Sequence, residues 1–213
     1  LITSKNAHII GEILLPIDHC LITRLGVQLS DIRVVKSKQE ALTQCREYLS
    51  NELKLAEQIA TTSTALAVID LKESDDRTAA IGPRRSAELA GLSILKQGIQ
   101  DRQNNVTRFA VLSSNSSVNP RSDKTSIAFD FDHADAPGLV YGALSPFADR
   151  GINLLKIESR PTGKGMGNYI FLLDFEGQID EKHVQEAINE LRKHTSTFKV
   201  FGSYPRATGL SVK

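Results

Sequence analysis

The segment at residues 104–109 holds two amides, a hydroxyl, a guanidinium and an aromatic ring within six positions. It lies between a polar stretch, 100–103, and an apolar run, 110–112. Thr107 can donate a hydrogen bond, and Arg108 can bind a carboxylate through two parallel hydrogen bonds. A second interpretation is a polar turn that enters a buried strand, with Arg108 in a surface ion pair. The six residues alone leave both interpretations open.

A run of four hydroxyl residues at positions 61–64 precedes a helix that is predicted to begin at Ala65. The amino terminus of a helix offers free N–H groups and the positive end of the helix dipole. Ser63 and Thr64 are therefore candidates for holding an anionic substrate. Capping of the helix is the commoner explanation for hydroxyls at such a place, and both explanations remain open.

The elements that must position these residues alternate between strands and helices up to residue 112. Ser37, with Glu40 three residues later, forms a capping-box pattern that predicts a helix over 39–51. The alternation predicts an α/β layer with a largely parallel sheet. In such sheets, ligands bind at the carboxyl ends of strands and at helix amino termini.

A polar, turn-forming stretch at residues 113–123 separates this layer from a different pattern. Beyond it, strand alternation and helical spacing predict the order strand, helix, strand, strand, helix, strand, with Asp135 as the cap of the first helix. This βαββαβ order is that of an α+β, ferredoxin-like module. The sequence thus predicts a domain over 1–112, a linker over 113–123 and a second domain over 124–213.

Composition and charge exclude several classes of protein. The net charge is +1 with basic residues spread along the chain, which argues against nucleic-acid binding. No apolar run is long enough for a membrane helix, and the first residues lack a signal-peptide pattern. Cys20 and Cys45 are predicted to be free thiols, and the histidines show no metal-ligand spacing. We therefore expect a cytoplasmic protein with no metal and no membrane partner.

Two segments resemble one known family. Residues 100–109 resemble the "D-x-x-x-N-x-T-R-F" signature of prephenate dehydratases, and residues 153–161 resemble the "N-L…E-S-R-P" signature of that family's regulatory ACT domain. Supporting matches lie at residues 41–45, 63–65 and 138–140, and their order and spacing agree over essentially the whole chain. The resemblance implies a two-lobed, periplasmic-binding-protein-like catalytic domain followed by a ferredoxin-like ACT domain.

The chain departs from the family pattern at two places. Residues 37–40 read S-K-Q-E where the family usually carries S-H-P-Q. The family's N-terminal segment, with its glycine-rich opening and its "E-N-S" motif, has no counterpart in the sequence, and Leu1 aligns just after it. The chain also has no initiator Met. We therefore expect an N-terminally incomplete catalytic domain. An alternative is a catalytically silent chain that retains only amino-acid binding.

The resemblance implies a carbon–oxygen lyase of phenylalanine biosynthesis, which converts prephenate to phenylpyruvate without a cofactor. By the family motif, Thr107 donates to the leaving hydroxyl and Asn105 orients Thr107 or the substrate. Arg108 either binds a substrate carboxylate or forms a structural ion pair. Phe109 belongs to the same candidate catalytic set and either packs in the core, which we expect, or touches the substrate ring. Ser63 and Thr64 are candidate substrate ligands.

The resemblance also implies control by L-phenylalanine, bound at an interface between two ACT domains of a homodimer or homotetramer. The helix that starts at Gly138 would supply N–H groups to the carboxylate, and Asn153 would supply an acceptor to the ammonium group. A structural salt bridge between Glu158 and Arg160 is the competing explanation for that pair. The predicted effector-site residues are Gly138, Leu139, Val140, Asn153, Leu154, Glu158, Ser159, Arg160 and Pro161.

A periplasmic-type solute-binding protein is a rival of another class, because such proteins share a two-lobed α/β layout. The free thiols, the lack of a signal-peptide pattern and the appended regulatory module argue against it.

Overall fold

The computed structural model describes residues 6–115, 119–131, 136–162 and 168–207. These residues form eleven strands and six α-helices. They divide into two compact units that are not consecutive in sequence. We name the units by their place in the sequence. The central unit is Pro16–Thr107, and the outer unit combines the two flanking stretches, Leu1–Leu15 and Arg108–Lys213. The predicted sequence boundaries at 112 and 124 do not coincide with this division and remain predictions.

The central unit is built on a five-stranded sheet with the order β4-β3-β5-β2-β6. Strand β3 is parallel to both β4 and β5, whereas β2 is antiparallel to both β5 and β6. The sheet is therefore mixed, and the prediction of a largely parallel sheet holds for only two of its four strand pairs. Alternation along the chain indicates that β5 and β6, joined by a helix, run in the same direction. It does not indicate that β2, which comes earlier in the chain, lies between them. The strands are β2 (His19–Thr23), β3 (Val34–Lys38), β4 (Glu57–Thr61), β5 (Thr78–Pro83) and β6 (Ser93–Gln97).

Four short helices flank this sheet: α1 (Gln39–Gln44), α2 (Arg46–Glu52), α3 (Thr64–Asp70) and α4 (Arg84–Ala90). Their apolar side chains form two cores, because successive residues of a strand face opposite sides of the sheet. Leu42 and Leu49 of α1 and α2 share one core with Ile81. Val68 of α3 shares the other with Ala80.

The start of the first helix differs from the sequence prediction. Ser37 is not an N-cap: it lies buried in β3, where its hydroxyl donates to the carbonyl of Ile81 at 2.7 Å. Lys38 precedes the helix and provides no side-chain cap. The predicted single helix over 39–51 is divided at Cys45, whose backbone leaves the helical region. Helix α4 ends at Gly91, which adopts the left-handed conformation with φ 69°.

The outer unit contains a four-stranded antiparallel sheet with the order β11-β8-β10-β9. Its elements follow the predicted order of strands and helices. Gly138, with φ 85°, precedes α5, and the predicted cap Asp135 lies outside the described residues. The elements are β8 (Lys124–Phe131), α5 (Leu139–Ala148), β9 (Leu154–Pro161), β10 (Tyr169–Glu176), α6 (Lys182–Arg192) and β11 (Thr195–Tyr204).

Each face of this sheet is covered by a different element of the outer unit. Helices α5 and α6 pack on the face that carries Phe129 and Phe175. The other face packs against a two-stranded ribbon of β1 (His8–Pro16) and β7 (Val106–Ser113), through Ile9 in contact with Phe201 and Tyr204. None of the described helices is long and apolar enough to cross a membrane.

We expect Gly202→Ala to lower the free energy of unfolding by about 3 kcal/mol. A Cβ at Gly202 would lie 2.2 Å from the carbonyl oxygen of Ile9, so the ribbon would have to move away from β11. Gly142→Ala is the matched control, because a Cβ there meets nothing within 4 Å inside α5. Urea denaturation measures both changes. Equal stability of the two variants would contradict this close approach.

Candidate functional site

One edge of the five-stranded sheet gathers the predicted site residues of the central unit. Strands β4, β3, β5 and β6 run in one direction, so their carboxyl ends meet at the same edge. Ser63 follows the end of β4, and the segment 98–105 follows the end of β6. The amino end of β2, at His19, lies at this edge as well, opposite Pro83.

The hydroxyl of Ser63 caps helix α3. Its Oγ accepts a hydrogen bond from the amide of Leu66 at 3.1 Å, and its carbonyl accepts one from Thr61 Oγ1 at 2.9 Å. The carbonyl of Thr64 lies 3.7 Å from the Cβ position of Gly82, so α3 starts close to the end of β5. Ser63 is therefore the N-cap of α3. Binding of substrate by Ser63 and Thr64 remains a prediction.

The segment ahead of Thr107 is fixed by paired hydrogen bonds. The amide of Ile99 donates to the carbonyl of His19 at 3.1 Å, and the amide of His19 donates to Gln100 Oε1 at 3.0 Å. The amide of Asp101 donates to the carbonyl of Gln44 at 2.7 Å, and Asp101 Oδ1 accepts from the amide of Glu47 at 3.0 Å. These bonds tie the segment to β2 and to the junction of α1 and α2.

The roles of Asp101 and Gln44 are not evident from sequence reasoning. Asp101 is the first residue of the D-x-x-x-N pattern and acts as a capping group for the first turn of α2. Gln44 also meets His19, whose Nε2 lies 2.7 Å from Gln44 Oε1. The sequence pattern includes the acidic residue Asp101, but it does not indicate that Asp101 binds the amino terminus of α2.

A cavity of about 760 Å³ lies beside this segment within the central unit. It brings Asn105 together with groups of both charges and with side-chain amides, and it does not include Thr107, Ser63 or Thr64. Among the described residues, Arg46 and Arg102 form no ion pair, so they supply positive charge to the cavity. The lining residues are Thr43, Gln44, Arg46, Glu47, Gln100, Asp101, Arg102, Asn104 and Asn105.

Thr107 stands at the beginning of β7 and is partly buried. Its hydroxyl makes no hydrogen bond to any residue that the structure describes. The carbonyl of Asn105, two residues earlier, accepts from the amide of Ile17 at 2.9 Å. The backbone next to Thr107 is therefore held while its hydroxyl is left available.

Arg108 belongs to a buried cluster of charged groups in the outer unit. We define the Arg108 cluster as Glu12, Arg108, Lys124, Asp174 and Tyr204. Arg108 Nε donates to Glu12, Nη1 donates to Asp174 Oδ2 at 2.8 Å, and Nη2 donates to the hydroxyl of Tyr204 at 2.6 Å. Every nitrogen of the guanidinium thereby donates a hydrogen bond. This arrangement is the structural ion pair that was one of the two interpretations of Arg108 in the sequence. A role in binding a substrate carboxylate remains a prediction without support from this geometry.

The cluster is neutral and well satisfied. Lys124 Nζ lies 2.9 Å from Glu12 Oε2 and 3.5 Å from Asp174 Oδ2. The two carboxylates and two cations balance one another, and the side chains of Glu12, Lys124 and Asp174 are less than a tenth exposed. Such pairing is what allows charges to be buried.

Burial and pairing act in opposite directions on the titration of the cluster. Burial alone would raise the pKa of Glu12, but hydrogen bonds from Lys124 and from the amide of Ala207 outweigh it and lower the pKa below its ordinary value. Burial raises the pKa of Tyr204 to about 12. Both groups therefore keep their neutral-pH charge states over a wide pH range.

Phe109 does not pack in the core, so that prediction is wrong. Its side chain is 51% exposed. Successive side chains of a strand point to opposite faces, and Arg108 occupies the face of β7 that meets the four-stranded sheet. Phe109 and Thr107 consequently share the other face of β7.

The predicted effector residues lie at the start of α5 and along β9. Gly138 precedes α5 and, having no side chain, gives it no side-chain cap, while the amide of Leu139 donates to the carbonyl of Ala136 at 3.5 Å. The carbonyl of Asn153 accepts from the amide of Glu176 at 2.9 Å. Leu139 and Leu154 are partly buried, whereas Val140, Asn153, Ser159, Arg160 and Pro161 are exposed.

Glu158 forms the salt bridge that was the competing explanation for this segment. Its carboxylate lies 2.6 Å from Arg160 Nε and 2.7 Å from Lys156 Nζ. Hydrogen bonds from Lys156 and then Arg160 lower the pKa of Glu158. Among the described residues, no group of three or more His, Cys, Asp or Glu side chains is placed to hold a metal ion.

Comparison with family models divides the chain into two parts. The model described as prephenate dehydratase matches residues 1–117, and the ACT domain model matches residues 128–193. A prephenate dehydratase of Methanocaldococcus jannaschii is 39% identical over 211 residues, which cover 96% of this chain and 74% of that protein.

Two further relatives extend this comparison. A bifunctional chorismate mutase/prephenate dehydratase of Aquifex aeolicus is 39% identical over 203 residues, which cover 95% of this chain and 55% of the relative. The chain thus spans about half the length of that relative. A crystal structure of prephenate dehydratase from Arthrobacter aurescens in complex with L-Phe superposes with a TM-score of 0.86 at 36% identity, covering 96% of this chain and 68% of that one.

We expect Glu12→Gln to lower the free energy of unfolding at pH 6 by about 3 kcal/mol, because Asp174 would then be the one carboxylate facing the two cations Arg108 and Lys124 in the cluster. Since the folded pKa of Glu12 lies below its ordinary value, its stabilising contribution is present above that ordinary value and is lost as the pH falls through the folded pKa. Wild-type stability should therefore fall as the pH drops below the ordinary pKa of a glutamate, and the variant should show a shallower fall.

Urea denaturation at a series of pH values measures this difference. Glu190→Gln is the control, since it removes one partner of a half-exposed pair with Arg150 and should cost less than about 1 kcal/mol. Parallel pH profiles of the wild type and Glu12→Gln would refute the assigned linkage.

Proposed function

The chain belongs to the prephenate dehydratase family, and on this premise we propose that the protein converts prephenate to phenylpyruvate. In this reaction the bond between the ring and its carboxylate breaks, and carbon dioxide leaves. The electron pair of that bond enters the ring as the ring hydroxyl departs with a proton as water. Aromatisation drives the step, and expulsion of hydroxide is the difficult event, which calls for a proton or hydrogen-bond donor.

The observation that carries this proposal is the placement of the signature segment. Residues 101–107 leave the carboxyl edge of the five-stranded sheet, where ligands of α/β proteins bind. Thr107 ends the segment with a hydroxyl that bonds none of the described residues. We assign Thr107 as the donor to the leaving oxygen and Asn105 as the group that orients Thr107 or the substrate. A neutral hydroxyl is a weak acid, so Thr107 acts as a hydrogen-bond donor through which a proton is relayed.

Binding of the substrate's two carboxylates needs cations or N–H groups. Each nitrogen of Arg108 already donates to a protein group, so its guanidinium is a poor candidate for this task. Arg46 and Arg102 carry the positive charge of the cavity that contains Asn105, and the first turn of α3 at Ser63 and Thr64 offers N–H groups. The reaction has no redox step and requires no cofactor.

The finer architecture belongs to the same proposal. We propose that residues 1–112 are part of a two-lobed, periplasmic-binding-protein-like catalytic domain, that 113–123 link it to a second domain, and that 124–213 form a ferredoxin-like ACT domain. The strand order β11-β8-β10-β9 with two helices on one face supports the last assignment.

The ACT domain is proposed to bind L-phenylalanine as an effector, as the Arthrobacter aurescens relative is in complex with L-Phe. The N–H groups at the start of α5 suit a carboxylate, and Asn153 suits an ammonium group. Binding changes activity only if the affinity for L-phenylalanine differs between two states of the protein.

Self-association and a reducing compartment complete the proposal. Strand β9 is an edge strand of the described sheet and carries the exposed Ile157, and Tyr141 on α5 is 78% exposed. An exposed edge and apolar side chains support a homodimer or homotetramer. The buried free thiols Cys20 and Cys45 support the cytoplasm.

We expect Thr107→Ala in the full-length protein to lower kcat for phenylpyruvate formation by about two to four orders of magnitude, with a modest change in KM. The loss follows because the donor acts on the leaving oxygen and not on substrate binding. Steady-state absorbance of phenylpyruvate measures it. Thr107→Ser keeps the hydroxyl and should retain most of the turnover, whereas wild-type turnover in Thr107→Ala would exclude the assignment.

We expect saturable binding when L-phenylalanine is titrated into the protein in a calorimeter. Asn153→Ala should weaken the affinity by about tenfold, which corresponds to about one lost hydrogen bond to a charged group. Asn189→Ala on the exposed face of α6 is the control and should leave the affinity unchanged. Absence of any binding to the wild type would remove the proposed effector.

A further inference from the structure

Strand β7 carries two different groups on its two faces. Thr107 and Arg108 are successive residues of β7 (Val106–Ser113), so their side chains project to opposite sides of the ribbon. The side chain of Arg108 is only 27% exposed, and all of its nitrogens are bound by Glu12, Asp174 and Tyr204. The position of the backbone at residue 108 is therefore fixed from the side that faces the four-stranded sheet.

The partners of Arg108 come from elements far apart in the sequence. Lys124 lies on β8, Asp174 on β10 and Tyr204 on β11, so three of the four strands of the sheet contribute to the cluster. Ser126 of β8 adds hydroxyl bonds to both Asp174 and Tyr204, which fix the orientation of those two side chains. A shift of β7 relative to this sheet would leave buried charges without partners, and such a state is costly.

We propose that Arg108 is a positioning residue for Thr107, and that Glu12, Asp174 and Tyr204 hold it in place. The inference rests on the proposed function, because it assigns Thr107 the role of donor. Arg108 then contributes to turnover without touching the substrate. The sheet that we propose to be the ACT domain helps to fix the position of the Thr107 hydroxyl through Arg108. Misplacement of a reacting group by about 1 Å is enough to reduce a rate by on the order of a hundredfold.

Two other roles of Arg108 make different predictions. An arginine that binds a substrate carboxylate would change KM when altered, and its partners on the sheet would have little effect on turnover. An arginine that only stabilises the fold would change the melting temperature and leave the kinetics of the folded protein unaltered. A positioning residue changes kcat with KM preserved, and so do the groups that hold it.

Tyr204→Phe in the full-length protein is the informative variant. It removes only the phenolic oxygen that accepts from Arg108 and meets Ser126, while the ring keeps its place with Ile9 and Phe201. Ser203→Ala is the matched control, since it removes the buried hydroxyl of the preceding residue. That hydroxyl bonds Thr125 and the amide of Ile179 and does not touch the cluster.

The kinetic experiment measures kcat and KM for prephenate at a temperature where circular dichroism shows every variant folded. Tyr204→Phe should lower kcat on the order of tenfold with KM within twofold of the wild type, and Ser203→Ala should keep both values within twofold. Arg108→Lys retains the charge but loses the planar fork, and it should lower kcat at least as much as Tyr204→Phe. Unchanged kcat in Tyr204→Phe, or a change in KM alone in Arg108→Lys, would overturn the proposal.

Amide hydrogen exchange gives a readout that does not depend on turnover. Exchange at residues 107–109 should be faster in Tyr204→Phe than in Ser203→Ala if the cluster holds this part of β7. Equal exchange in the two variants would reject the positioning role even if the wild type is active. A wild type that forms no phenylpyruvate would instead reject the proposed function, and the exchange data would still decide whether the cluster fixes β7.

Discussion

The pairing of one partly buried guanidinium determines how the outer unit is assembled. Arg108 reaches from the ribbon into the helix-free face of the four-stranded sheet, where Asp174 and Tyr204 accept its hydrogen bonds. Glu12 joins it from the second strand of the ribbon. A charge at this depth is tolerated only when it is paired, so the ribbon, the sheet and the cluster require one another. The contact of Gly202 with the backbone of Ile9 permits the close approach that this pairing needs.

The T-R-F segment therefore combines two tasks in adjacent residues. Thr107 presents a hydroxyl that is not bonded by any residue in the described part of the chain, and Arg108 binds the sheet on the opposite face of the same strand. Asp174 lies opposite Lys156 in the register of β10 and β9, and Lys156 bonds Glu158 of the proposed effector segment. Directly opposed residues of antiparallel strands share a face, so the E-S-R-P segment lies one strand away from the cluster, within the same sheet.

Much of the fold could be predicted from local pattern. The order of strands and helices in the outer unit and the stop of α4 at Gly91 follow from periodicity and from the backbone freedom of glycine. The mixed sheet, the buried strand position of Ser37 and the exposure of Phe109 could not be predicted, because each depends on neighbours distant in sequence. The same holds for Arg108: its residue type allows a carboxylate ligand or an ion pair, and only the fold brings Glu12, Asp174 and Tyr204 to it.

A double-mutant cycle between Arg108 and Asp174 tests this account most directly. The free energies of unfolding of Arg108→Gln, Asp174→Asn and the double variant would be measured by urea denaturation and compared with the wild type. If the guanidinium is bound by the sheet, the two changes are coupled by about 1.5 kcal/mol or more. Additive effects within about 0.5 kcal/mol would show that Arg108 does not depend on Asp174 and would contradict the account.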